Sequence, residues 1–165
     1  LGVNAQTYRG GSAGTSKTIE QQVFKRLIGL PYYGVFDHIT FQVENGTVIL
    51  GGKVNSLGTR NQAASAVKDI AGVRRVVNNI EQLPPSGFDD SIRRQALRSF
   101  SSSGLGRYFY ENDPEVRIIV ENGRLTLEGY VANRGDSDLL NILANGVTNV
   151  FQVTNNLIVG KDRRR

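Results

Sequence analysis

Val43-Glu44-Asn45-Gly46 returns as Val120-Glu121-Asn122-Gly123, and the offset of 77 then holds without a gap from Ile39/Val116 to Gln82/Val159. Twelve of these 44 pairs are identical, among them Leu50/Leu127, Gly52/Gly129, Val54/Val131, Val76/Val153, Asn78/Asn155 and Asn79/Asn156. Chance does not hold register over such a length, so the chain is a tandem duplication. Upstream, Ile19, Val23, Phe24 and Leu27 align with Ile92, Ala96, Leu97 and Phe100 at an offset of 73, which leaves four extra residues before the first strand of copy two. Each copy must therefore close a small core of its own, and both must use the same arrangement of elements.

The hydrophobic period names those elements. Ile19, Val23, Phe24, Leu27 and Ile28 recur at helical spacing, which predicts a helix over 18–29 with Thr18 as N-cap and its repeat over 89–101. The period then becomes two. Ile39, Phe41 and Val43 alternate, Asn45-Gly46 supplies the two positive-φ positions of a type I′ turn, and Val48, Leu50, Gly52 and Val54 alternate back. Such a turn sets Val120 opposite Leu125 and Ile118 opposite Leu127 in copy two. A second helix carries Ala63, Ala66, Val67 and Ile70, or Leu140, Leu143, Ala144 and Val147, and is expected to stop at Gly72 or Asn149. One last strand holds Val76 and Ile80, or Val153, Leu157 and Val159. The predicted fold class is α+β, two tandem α-β-β-α-β domains, each a three-stranded mixed sheet with two helices on one face. The boundaries read as a Gly/Ser-rich arm over 1–17, a first domain over 18–83, a Pro-containing linker over 84–87, a second domain over 88–160 and a basic tail over 161–165.

This pattern resembles the BON domain (bacterial OsmY and nodulation), in which an Asn-Gly hairpin, a Leu-x-Gly-x-Val strand and a Gly-Val-x-x-Val-x-Asn-x-Leu segment follow in order. The matching runs are Leu50-Gly51-Gly52-Lys53-Val54 with Gly72-Val73-Arg74-Arg75-Val76-Val77-Asn78-Asn79-Ile80, and Leu127-Glu128-Gly129-Tyr130-Val131 with Asn149-Val150-Phe151-Gln152-Val153-Thr154-Asn155-Asn156-Leu157. The resemblance spans roughly residues 18–160. It implies a non-enzymatic protein of the periplasm or outer membrane, of a kind implicated in phospholipid binding or envelope maintenance. Copy two departs from the pattern at Asn149, where glycine is usual, and Asn145-Gly146 falls within its second helix. That helix is expected to be the weaker one.

Composition narrows the chemistry. One His and no Cys leave no material for a Ser-His-Asp or Cys-His nucleophile, a thiolate site or a multi-histidine metal centre, so no catalytic residue, metal or cofactor is expected. His38 beside Asp37 has no nucleophile to serve and reads as part of a turn. The net charge of +5 does not mark a nucleic-acid surface, because residues 1–17 carry +2 and residues 161–165 carry +3. The body between them is balanced, +2 over 18–84 and −2 over 88–160. A phosphate backbone demands a basic face, so nucleic acid is disfavoured as a partner. Arg74-Arg75 and Arg93-Arg94 read as solvated faces. Asp89, Asp90, Asp136 and Asp138 read as negative charge at helix starts. Asn78 and Asn155, in the inward phase of the last strand, read as buried amides bonded to backbone.

Two sets of residues remain as candidate sites. Tyr32, Tyr33 and Phe36, with Tyr108, Phe109 and Tyr110, lie between first helix and first strand of their copies. They either close the core beneath a loop or form an amphipathic rim for a lipid surface or a protein partner. Leu1, Val3, Ala5 and Tyr8 belong to a weakly alternating stretch ahead of a Gly/Ser-rich run, and Arg163, Arg164 and Arg165 close the sequence. Both ends are read as subunit contacts, the arm adding to an exposed sheet edge of a neighbouring copy. Such a contact is heterologous and propagates into a filament or tube unless it closes a ring. The chain holds no Met, at position 1 or elsewhere, so removal of a secretory signal is expected, with an extracellular, periplasmic or outer-membrane location. The leading expectation is an exported homomeric assembly. The alternative is a monomeric peripheral protein on anionic phospholipid.

Overall fold

A computed structural model describes residues 17–110 and 112–164. The elements come in the order α1 (Ile19–Ile28), β1 (His38–Glu44), β2 (Thr47–Val54), α2 (Leu57–Lys68), β3 (Arg75–Asn78), β4 (Glu81–Gln82), α3 (Gly87–Phe100), β5 (Val116–Glu121), β6 (Arg124–Val131), α4 (Arg134–Asn145), β7 (Gln152–Asn155) and β8 (Ile158–Val159). They form two compact units. Unit 1 takes in residues 17–33, 39–82 and 163–164, and unit 2 residues 34–38 and 83–162. The loop residues 34–38, expected in the first domain, thus count with unit 2.

Unit 1 starts where the sequence sets a cap. The Thr18 hydroxyl accepts from the Gln21 N–H at 3.2 Å while the Gln21 side chain accepts from the Thr18 N–H at 3.1 Å, so α1 begins with two of its orphan donors satisfied. Val23 and Leu27 of its buried stripe meet Ile39, Val48, Leu50, Val54, Ala63 and Val67 from the sheet and α2, and Phe24 beside them is buried as well. Burying each such side chain contributes about 1.5–3 kcal/mol. Asn45 and Gly46 both have positive φ, 48° and 81°, as the type I′ turn requires. The sheet order is β1-β2-β3, with β2 and β3 parallel.

Unit 2 repeats this order as β5-β6-β7. Asn122 and Gly123 turn with φ of 52° and 75°, and Val120 pairs with Leu125 and Ile118 with Leu127, the expected register. The glycine of Leu127-Glu128-Gly129 has φ of 111°, and a Cβ there would lie 2.0 Å from the Glu115 carbonyl oxygen. No side chain fits that place. The four extra residues of copy two are accounted for by a π turn over Ser101–Leu105 and a 3-10 turn over Gly106–Phe109 that follow α3 directly. These turns deliver Leu105, Tyr108 and Phe109 to the core, where Phe109 stacks on Phe100 with centroids 5.7 Å apart.

Three expectations need correction. The last strand is split in each unit, since β3 and β4 both pair with β2, and β7 and β8 both pair with β6, across a break at the paired asparagines. The register survives that break: Gln152 faces Arg124 and Val159 faces Val131, the same offset throughout. The second helices end before Gly72 and Asn149, at Lys68 and Asn145, because the chain needs a further turn before it can re-enter the sheet. Gly72 and Asn149 provide positive φ in that turn, 92° and 71°. Asn145-Gly146 accordingly terminates α4, with Gly146 as C-cap, and does not weaken its interior.

Candidate interaction surface

The six loop aromatics divide. Tyr108 is buried, its hydroxyl accepting from the Ala132 N–H at 3.0 Å and donating to the Asp136 carboxylate, which Arg107 also meets. Phe109 is buried against Phe100. The Tyr33 hydroxyl accepts from the Ile39 N–H at 2.9 Å, and Tyr33 packs on the unit 1 core. Phe36 packs on the core of unit 2. Tyr108 and Phe109 are buried and Tyr33 and Phe36 half-buried, and all four hold loops down. Tyr32 and Tyr110, 74% and 70% exposed, are what remains of the expected aromatic surface.

Several polar residues have jobs other than those expected. Asp89 is buried, and its two carboxylate oxygens accept from the Asn122 N–H at 2.8 Å and the Gly123 N–H at 2.9 Å. It ties the start of α3 to the tip of the β5–β6 hairpin, which a helix-start role alone does not describe. Arg93 is also buried, donating to the Val120 carbonyl at 2.6 Å and to Asp90 at 2.6 Å, so only Arg94 of that pair stays free of a strand contact in the reading of a solvated face. Arg117 is buried too and donates to the Gly34 carbonyl at 2.7 Å. A strand arginine between apolar neighbours was the available signal, but sequence does not reveal which carbonyl it meets.

The asparagines follow expectation in bonding and depart from it in burial. The Asn78 side chain donates to the Arg60 carbonyl at 2.9 Å and accepts from the Ile80 N–H at 3.2 Å, while Asn155 donates to the Ser137 carbonyl at 3.3 Å and accepts from the Leu157 N–H at 3.0 Å. Each pins the last strand to the first turn of the second helix. Asn78 is half-buried and Asn155 exposed.

The ends were read as contacts between copies. Leu1, Val3, Ala5, Tyr8 and Arg165 lie outside the described residues. The Arg164 guanidinium lies over the Phe24 ring at 5.0 Å and the Phe41 ring at 5.9 Å within unit 1. It is therefore engaged by rings of its own unit. Arg163 is exposed.

What the folded units offer outward is apolar and uneven. Of nine large exposed hydrophobic side chains among the described residues, seven belong to unit 2: Phe88, Tyr110, Leu139, Ile142, Phe151, Ile158 and Val159. Phe88 and Phe151 stack at 6.2 Å across the Asn122-Gly123 turn, with Phe151 78% exposed. A shallow groove of about 370 Å³ between α4 and the last strand is bounded by Ser137, Asp138, Asn141, Asn155, Leu157 and Val159. Among the described residues no group of three His, Cys, Asp or Glu side chains could hold a metal ion, and no helix is long and apolar enough to cross a membrane.

No curated protein matches the chain. Similar solved structures include CdsD, a structural protein of the type III secretion system of Chlamydia trachomatis, at 14% identity over 86% of this chain and 92% of that one, with a TM-score of 0.34. The C-terminal domain of the same protein gives 13% identity over 85% and 96%, with a TM-score of 0.34. The BON domain family matches twice, over residues 15–84 and 89–161, the two stretches that the internal repeat and the two sheets mark out. The chain belongs to the BON domain family and carries two tandem copies of the domain.

Proposed function

We propose that this protein is an exported, non-catalytic structural protein that self-associates into a homomeric extracellular or envelope assembly, with its 1–17 arm as a contact between copies. The observation that supports this most is the concentration of exposed apolar side chains on unit 2. Scattered single hydrophobics are normal on a monomer, whereas their uneven share between two copies of one fold supports a surface on unit 2 that is covered in use. The near-balanced charge of the body favours association of like chains, since no strong field drives them apart. The envelope location that the BON resemblance implies supports export.

One observation favours the alternative, a monomeric peripheral protein on anionic phospholipid. Tyr32 and Tyr110 stay exposed at corresponding loops of the two units, as membrane-interface tyrosines do. Sedimentation of the native chain, with negative-stain microscopy of the same sample, separates the two readings. Assembly predicts particles far heavier than the 18.1 kDa chain and lost when residues 1–14 are removed. A single 18.1 kDa species at every concentration, bound by anionic and not by neutral vesicles and released by salt, would replace assembly with lipid docking.

A further inference from the structure

We infer that the β7–β8 edge of unit 2 is the acceptor for a β-strand donated by residues 1–8 of a second copy, an inference that rests on the self-association proposed above. The sheet of unit 2 has two edges, and they are not alike. At β5, residues Val116 to Val120 are all buried and the Ile118 N–H already donates to the Val35 carbonyl at 2.8 Å. At the other side, β7 and β8 pair with β6 alone among the described residues, and most of 151–159 is exposed.

The duplication supplies an internal control. Exposed edge strands invite pairing with other chains, and proteins ordinarily guard them with charge. In unit 1 the corresponding exposed positions are Arg74, Arg75, Glu81 and Gln82. In unit 2 they are Phe151, Gln152, Ile158 and Val159, and no charged residue occurs anywhere from 139 to 160. Two copies of one fold thus treat the same edge oppositely: one carries the guarding charges and the other has replaced them with residues of high β-propensity. A general demand of the fold cannot explain that difference, because unit 1 meets the same demand with arginine and glutamate.

The donor lies outside the described residues. Residues 1–8, Leu-Gly-Val-Asn-Ala-Gln-Thr-Tyr, contain no charge and no proline, and the first charge is Arg9. Their length equals that of the acceptor run 152–159, across which the β7–β8 register is continuous. An uncharged strand on an uncharged edge forms its ladder without desolvating an ion, and its alternate side chains can lie beside Phe151 and Ile158.

The test restores the unit 1 residues to the edge: Phe151→Arg, Gln152→Arg, Ile158→Glu and Val159→Gln in the full chain. Since unit 1 folds with these residues at the same positions, unit 2 is expected to tolerate them, and Ile158→Glu alone serves if the fourfold variant fails to fold by circular dichroism. The expected result is loss of heavy particles in sedimentation. In parallel, a fluorescent peptide of residues 1–8 should bind the chain lacking 1–8, and bind the edge variant of that chain at least tenfold more weakly. Particles that persist in the edge variant, or peptide affinity that the edge changes leave intact, would overturn the edge assignment while leaving self-association standing. A native chain that never exceeds one copy would instead overturn self-association, and peptide binding to its arm-deleted form would then assign the edge to its own arm.

Discussion

The Asp89 carboxylate gives the most quantitative check on how unit 2 is held together. Asp89→Ala removes the acceptor of two backbone N–H groups, at 2.8 Å from Asn122 and 2.9 Å from Gly123. Hydrogen bonds to a charged partner contribute about 1.5–3 kcal/mol each. The Gly123 bond is buried and counts in full, whereas the Asn122 amide is closer to solvent and recovers part of its loss by binding water. The expected destabilisation is therefore about 3 kcal/mol, against the roughly 5–15 kcal/mol that holds a typical domain. For a unit of this size it corresponds to a fall in melting temperature of roughly 12–24 °C. Asp89→Asn keeps one acceptor oxygen and loses the charge, so it should fall between the two. Thermal unfolding of the full chain reads the loss, and amide exchange at Gly123 locates it. Asp138→Ala, an exposed helix-start carboxylate 4.0 Å from Arg134, is the control and should change stability by less than about 0.5 kcal/mol. If Asp89→Ala matches that control, or Gly123 exchange is not accelerated, the carboxylate is only another helix-start charge and the clamp is refuted.

Gly129→Ala places a Cβ 2.0 Å from the Glu115 oxygen at a φ of 111°, so unit 2 should fail to fold or lose most of its two-dimensional NMR dispersion while unit 1 signals persist. Tyr108→Phe leaves the ring buried but strips the Ala132 N–H of its acceptor and Asp136 of one of its donors, and should cost about 1–3 kcal/mol in denaturant unfolding. Burial holds the Glu128 carboxyl above the usual carboxylate range, opposed by the hydrogen bond from Asn156. Because folding raises this pKa, Glu128 favours the native state at acid pH and that contribution is lost as pH rises through its folded value. Glu128→Gln should therefore stabilise the protein relative to wild type near pH 8 and lose that advantage near pH 4. An advantage independent of pH would refute the burial argument.

The alternation of periods, the Asn-Gly turns and the duplicated Leu-x-Gly-x-Val runs made the order of elements and the hairpin register legible, because these depend on residues near one another in the chain. Thr18 could be read as a cap for the same reason. The asparagines were half legible: their inward phase told of backbone bonds, but not that Asn155 would be exposed while making them. Tyr108 and Tyr110 show where local reading stops. They are two residues apart in one aromatic run, yet one is buried on Asp136 and Ala132 and the other faces water. Only the π and 3-10 turns after α3 decide which side each takes.

By itself the sequence determined that there are two copies, what elements they contain and that one histidine and no cysteine leave no Ser-His-Asp, Cys-His or multi-histidine centre. The tertiary structure decided which polar groups are partnered across the fold. Asp89 with the Gly123 amide and Arg93 with the Val120 carbonyl are separated by 34 and 27 residues, and no local pattern encodes such a meeting. The structure also decided which strand is an edge. The run 139–160 is uncharged in the sequence, and it acquires meaning as a surface only because the sheet ends at β7 and β8. A strand's exposure is a property of its neighbours, and neighbours are fixed by the closing of the whole sheet.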